Sequence, residues 1–185
     1  SLFLFILIIF ISYEYLKKRK LDNNKEVSKI YYQSINNIYS NEVDSLESLE
    51  NISQSIEGFG LLAKMKIIEN NINKKEFLNA YDLYKELIEN KKLEKRYKDL
   101  IIVNAGYNLV DNIDNKMIFY LLDMTDINKS IFKSHLKEIH FVNSIKVSSL
   151  NELNLLNTQI QEDIEIMKSV KERINNLNVI LQNKK

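Results

Sequence analysis

The chain contains no proline and only three glycines in 185 residues. An all-β protein needs many tight turns, and proline and glycine supply most of them, so this scarcity argues against a sheet-based fold. Apolar and polar residues instead recur at helical spacing from Lys20 almost to the C-terminus. Apolar residues make up 45% of the chain, which is enough to bury a core. We therefore predict an all-α protein.

The sequence has no cysteine, only two histidines and no recognisable catalytic motif. The absence of cysteine excludes a disulfide scaffold, a thiolate metal site and a cysteine nucleophile. The two histidines, His135 and His140, are five residues apart and do not share a helix face as an i, i+4 pair of metal ligands would. There is no glycine-rich phosphate loop and no GxSxG motif. We predict a protein that is not an enzyme, with no cofactor, no metal and no small-molecule substrate.

The overall charge gives no attraction to nucleic acid. The chain has 26 basic and 25 acidic residues, which leaves a net charge of +1. A basic stretch at residues 91–98 is short, and Glu94 interrupts its positive charge. We interpret it as a solvated loop and predict no nucleic-acid partner.

The chain begins with an unbroken apolar run of ten residues. The run consists of Leu2, Phe3, Leu4, Phe5, Ile6, Leu7, Ile8, Ile9, Phe10 and Ile11. Ten residues are about half of what a helix needs to cross a bilayer. Tyr13 and Tyr15 suit the headgroup level, and the basic residues 17–20 suit the interface just beyond it. We predict that residues 1–16 are the end of a transmembrane helix.

Two other interpretations of the apolar run remain. A signal-peptide core fits poorly, because no small-residue cleavage site follows and the positive charge lies on the wrong side. A buried segment of a soluble domain is the second. The orientation also stays open: the basic flank favours the cytoplasmic side for the main domain, but charges upstream of Ser1 can reverse this preference.

We divide the remaining chain into linking helices at residues 17–57 and a repeat domain at 58–185. In the first part, Asn41 is predicted to end a helix and Asp44 to cap the next one. The second part is read as three helical hairpins and a capping helix. The predicted helices cover residues 59–70, 76–89, 97–110, 117–124, 131–142, 150–160 and 164–181, with Ile164 and Met167 on the apolar stripe of the last.

Phe77, Ala80 and Tyr84 show the packing pattern of a helical repeat. The small Ala80 lets two helices approach, while Phe77 and Tyr84 fill the gaps on either side. Met117 and Leu150 occupy the place of Phe77 in the later hairpins, at spacings of 40 and 33 that bracket the common repeat length of about 34. Leu153 replaces the small residue in the third hairpin, so the repeats are degenerate.

The stretch KEFLNA followed by Tyr84 resembles the start of the second helix of a tetratricopeptide repeat. The order of parts resembles the membrane-anchored bacterial branch of one family, the ancillary Sec-translocon subunit and cell-division-coordinator tetratricopeptide family. GFGLLAKMKIIENN, RYKDLIIVNAGYNLVDN and KSVKERINNLNVIL look like successive parts of that branch. The resemblance implies a right-handed α-solenoid on one membrane helix.

The family resemblance also implies a location and partners. The helical domain would be periplasmic, held by a single-pass anchor in the bacterial inner membrane. Its partners would be translocon subunits, emerging polypeptides or periplasmic chaperones. The alternatives are a tethered scaffold of the envelope or division machinery and an enzyme of an unrecognised type.

Overall fold

The computed structural model describes the backbone of residues 2–55 and 58–183, and the side chains within those ranges from Leu16 onward except Lys20. This part of the chain contains helices and no strand, which confirms the all-α prediction. The helices are α1 (Leu2–Asn37), α2 (Glu42–Ser53), α3 (Phe59–Asn73), α4 (Phe77–Glu89), α5 (Lys95–Leu109), α6 (Asn115–Asp123), α7 (Lys133–Ser144), α8 (Leu150–Glu162) and α9 (Lys168–Asn183), with a 3-10 turn at Ile127–Lys129. They divide into two compact units, Ser1–Asn70 and Asn71–Lys185.

In the first unit α1 packs against α2, with Ile38 and Leu49 buried. Helix α1 ends at Asn37, before the predicted end at Asn41, and Asn41 instead precedes α2; the expected Asp44 cap is also wrong. Helix α2 already begins at Glu42, so Asp44 lies in its first turn. There its carboxylate suits the positive end of the helix dipole, and its Oδ2 accepts a hydrogen bond of 2.6 Å from the Asn41 side chain.

The predicted anchor at residues 2–11 lies in the part of α1 whose side chains fall outside the described residues. Within the described part of the chain, no helix has an apolar stretch long enough to cross a bilayer.

The second unit contains a row of alternate helices. Helix α5 packs on α7 and α7 packs on α9. Helix α6 contacts both α5 and α7, and α8 contacts both α7 and α9. Helices that contact both their nearest and their next-nearest neighbours along the chain are typical of stacked helical hairpins.

Four of the side-chain hydrogen bonds in this unit join residues about one repeat length apart. Their sequence separations are 31 for Tyr120 to Glu89, 32 for Lys133 to Glu165, 33 for Ser134 to Met167 and 35 for Arg173 to Glu138. The packing is consistent with a helical repeat.

The last helix begins later than predicted. Residues 163–167 form a turn in which Asp163 Oδ1 accepts a hydrogen bond of 3.0 Å from the Glu165 backbone, and α9 starts at Lys168. Because the turn breaks the helical period, Ile166 is the buried residue. Ile164 is 94% exposed and Met167 44% exposed, so their predicted place on the apolar stripe is wrong.

Gly106 lets α5 approach α7. A Cβ atom at this position would lie 2.6 Å from both Cδ1 and Cγ2 of the buried Ile139. We expect Gly106→Ala to destabilise the protein by about 1–2 kcal/mol, because overpacking exceeds the helix-propensity gain of alanine over glycine. Urea unfolding measures the change.

Truncating Ile139 provides the control for the Gly106 substitution. Ile139→Ala removes the colliding atoms. In a protein that carries Ile139→Ala, the further change Gly106→Ala should therefore not lower the free energy of unfolding, and the effects of the two substitutions on stability should be strongly non-additive. A Gly106→Ala protein as stable as the parent would contradict the close approach of α5 and α7.

Candidate protein-binding face

Five of the six predicted packing residues lie in the first turn of α4, α6 or α8, and Tyr84 lies midway along α4. Three are buried: Ala80, Tyr84 and Leu153. The other three, Phe77, Met117 and Leu150, are partly exposed. These positions make them parts of the helix contacts and not of an open surface.

Tyr84 shows how such a position joins two helices. Its hydroxyl donates a hydrogen bond to Asn104 Oδ1 on α5 and accepts one of 3.3 Å from Asn108 Nδ2. Burial raises the pKa of Tyr84 to about 12, so the phenol stays protonated and remains a donor. Tyr84 is therefore a structural link between α4 and α5.

A second cluster joins α5, α7 and α9 through one buried carboxylate. Glu138 on α7 is only 6% exposed. Its Oε1 accepts a hydrogen bond of 2.6 Å from Arg173 Nε, and its Oε2 accepts one of 2.7 Å from Arg173 Nη2. The Tyr107 hydroxyl on α5 donates a third bond of 2.6 Å to the same Oε2. A two-pronged guanidinium contact of this kind fixes geometry as well as charge.

Contacts within the cluster shift the pKa values of Glu138, Tyr107 and Arg173. Burial alone would raise the pKa of Glu138, but the hydrogen bonds from Arg173 and Tyr107 hold that pKa below its usual value. Burial and the bond to Glu138 raise the pKa of Tyr107, and Glu138 raises the pKa of Arg173. Glu138 is therefore a carboxylate, Tyr107 a phenol and Arg173 a guanidinium at neutral pH.

His135 extends the cluster along the surface of α7. Its Nδ1 lies 2.9 Å from the Tyr107 hydroxyl. Since the single hydroxyl proton goes to Glu138, Nδ1 must be the donor to the phenol oxygen. Nδ1 therefore carries a proton.

The other histidine has separate contacts. The His140 ring makes an edge contact with Phe119 of α6, with ring centroids 5.6 Å apart. Its pKa is lowered mainly by burial and, to a smaller extent, by the positive charge of Lys137. Among the described residues, no group of histidine and acidic side chains is arranged to hold a metal ion.

Exposed apolar and amide side chains lie on the same faces of α5 and α9 as Tyr107 and Arg173. Leu100 and Asn104 precede Tyr107 by seven and three residues on α5, so all three share a helix face. Ile180 follows Arg173 by seven residues on α9 in the same way. We name this surface the α5–α7–α9 face; its members are Leu100, Asn104, Tyr107, His135, Arg173 and Ile180.

The α5–α7–α9 face has the composition of a protein-binding surface. Leu100 and Tyr107 are each 47% exposed, and Ile180 is 51% exposed. Tyrosine and arginine are enriched in protein interfaces because each combines apolar area with hydrogen bonding. Glu138 fixes Tyr107 and Arg173, so binding a partner would cost little side-chain entropy.

The prediction from sequence did not include Tyr107, Glu138 or Arg173 among the site residues. The signal was present: a carboxylate and one of only three arginines lie 35 residues apart, one repeat length. Opposite charges at that separation face each other when hairpins stack.

No protein-family model, no curated protein and no solved structure matches the chain.

Proposed function

We propose that the protein is a non-catalytic, membrane-anchored module that binds polypeptide segments on its α5–α7–α9 face. The observation that carries this proposal is the exposed set of Leu100, Tyr107 and Ile180 around a fixed guanidinium. Apolar side chains supply binding energy when a partner covers them, and the polar groups set its register.

The anchor and the cellular setting are further parts of the proposal. The apolar run at residues 2–11 would hold the domain at the bacterial inner membrane and raise its local concentration beside a membrane partner. The resemblance to tetratricopeptide proteins of the translocon supports a right-handed repeat, a periplasmic domain and a place beside the Sec translocon. Emerging polypeptides or periplasmic chaperones would then occupy the α5–α7–α9 face.

Site-specific photo-crosslinking in bacterial cells tests the proposal. A photoreactive amino acid is placed at Leu100 or Ile180 of the full chain, and the adducts are identified by mass spectrometry. The matched control is Leu155 on α8, which is 61% exposed but lies outside the face. We expect adducts with translocon subunits, chaperones or nascent chains from the two face positions and at least ten-fold fewer from the control.

The identity of the adducts separates the proposal from its alternative. Adducts mainly with envelope-assembly or division proteins would instead support a tethered scaffold. Equal yields from Leu155 and the face positions, or no adducts from any position, would contradict the α5–α7–α9 face as a binding site.

A further inference from the structure

Helix α1 has a segment in which no described side chain is buried or partly buried. Every side chain described between residues 16 and 26 is exposed, whereas Val27 and Ser28 are partly covered and Ser34 is buried. We name residues 16–26 the exposed stem. It lies on the same continuous helix as the apolar run before it and the packed part after it. Its side chains therefore face solvent or whatever surface the helix enters.

The stem carries concentrated positive charge. It contains five basic residues and two acidic ones, and four of the basic residues are consecutive, at 17–20. Successive residues on a helix are rotated by about 100°, so four in a row surround the axis. We name residues 17–20 the basic collar. The ion pair farther along the stem, Lys25 with Asp22 at 3.9 Å, is highly exposed and reduces the charge of the collar little.

The helix places the collar at a defined height. At a rise of 1.5 Å per residue, the collar lies about 9–14 Å beyond Ile11, where the apolar run ends. The polar headgroup region adds about 5–7 Å to each side of the hydrocarbon core of a bilayer. Lysine and arginine side chains can extend back along the helix by several ångströms, so their charges reach the phosphate level.

We propose that the basic collar binds anionic phospholipid headgroups, which makes membrane attachment depend on lipid charge. This inference rests on the proposed anchor. A neutral surface would accept the apolar run but offer the collar no anionic groups, whereas an anionic surface supplies them. Basic residues close to such a surface strengthen binding roughly five-fold each, and the effect falls with salt because the Debye length shortens.

Vesicle flotation of the full chain tests this inference. One set of vesicles is phosphatidylcholine alone, and the other contains one third phosphatidylglycerol. The test variant is Lys18→Gln with Arg19→Gln, two collar residues whose side chains are exposed. The matched control is Lys91→Gln with Lys92→Gln, which removes the same charge from an exposed loop outside the stem.

We expect the parent chain to partition into the anionic vesicles much more strongly than into the neutral ones. The collar variant should lose about 25-fold of its partition coefficient for anionic vesicles and keep its partition into neutral ones. The loop variant should have the same partition coefficients as the parent on both kinds of vesicle. In 0.5 M salt, the parent should bind anionic and neutral vesicles equally.

The other outcomes separate the inference from the anchor. Equal flotation of the parent on both kinds of vesicle overturns the collar inference and leaves the anchor intact. Flotation on anionic vesicles alone supports the collar and contradicts the anchor. No flotation on either overturns both, and an equal loss in the loop variant overturns the collar because net charge would then explain the binding.

Discussion

Arg173→Ala is expected to lower the free energy of unfolding by about 3 kcal/mol at pH 7, the low end of the range for breaking a buried ion pair. The substitution removes two of the three hydrogen bonds to Glu138 and leaves its carboxylate buried with only Tyr107 as a donor. The low end of the range applies because the Arg173 side chain is 51% exposed, so water solvates the guanidinium and screens its attraction to Glu138.

The pH dependence separates this effect from a simple loss of packing. In the parent, the pKa of Glu138 lies below its ordinary value of 4.5, so the cluster stabilises the fold above that pH and the contribution is lost as pH falls below it. Without Arg173, burial raises the pKa of Glu138, and protonation relieves the unpaired charge at higher pH. The difference in the free energy of unfolding between the parent and Arg173→Ala should therefore be smaller at pH 4 than at pH 7.

Urea unfolding of both proteins at the two pH values measures this difference. Arg96→Ala is the matched control, because Arg96 pairs with Glu94 at 2.9 Å but both side chains are more than 60% exposed. It should cost less than about 0.5 kcal/mol. A gap between parent and Arg173→Ala that stays constant with pH would contradict the role of the Glu138 charge.

Phe141→Ala is expected to lower the free energy of unfolding by about 3–5 kcal/mol, the range for truncating a fully buried aromatic side chain. Phe141 on α7 is 0% exposed and belongs to a core cluster with Leu153 and Ile160 of α8 and Val170 and Ile174 of α9. Its loss would leave a cavity where three helices meet. Because each hairpin is stabilised by its neighbours, the loss of α8 and α9 packing should appear first.

Circular dichroism during urea unfolding measures the cost, and hydrogen exchange locates it. Leu155→Ala is the control: Leu155 is 61% exposed on α8 and should cost less than about 0.5 kcal/mol. If Phe141→Ala cost no more than Leu155→Ala, the shared core of α7, α8 and α9 would be wrong.

The helices were predictable because their signal is local. Spacing of apolar residues predicts a helix wherever it persists, and the predicted 76–89 and 97–110 match α4 and α5 to within a few residues. The ends were less predictable: Asp44 and Ile164 were misplaced because a cap and a turn depend on which hydrogen bonds the backbone finds.

The candidate binding site depended on contacts that local patterns do not contain. Tyr107, Glu138 and Arg173 are 31 and 35 residues apart, and each taken alone is an ordinary residue of a polar helix face. Residue type does not separate Leu100 from Ile101, two adjacent apolar residues on α5, yet Ile101 is 4% exposed and Leu100 is 47% exposed.

From the sequence alone, three things were determined: the all-α class, the order of the helices in the described chain, and the apolar run followed by the basic collar. Each follows from residue types and from spacing within a few turns of helix. Only the tertiary structure decided which side chains are covered and that Glu138 draws α5, α7 and α9 together. The burial of a side chain depends on which other helix packs against it, and the local sequence of one helix does not specify that partner.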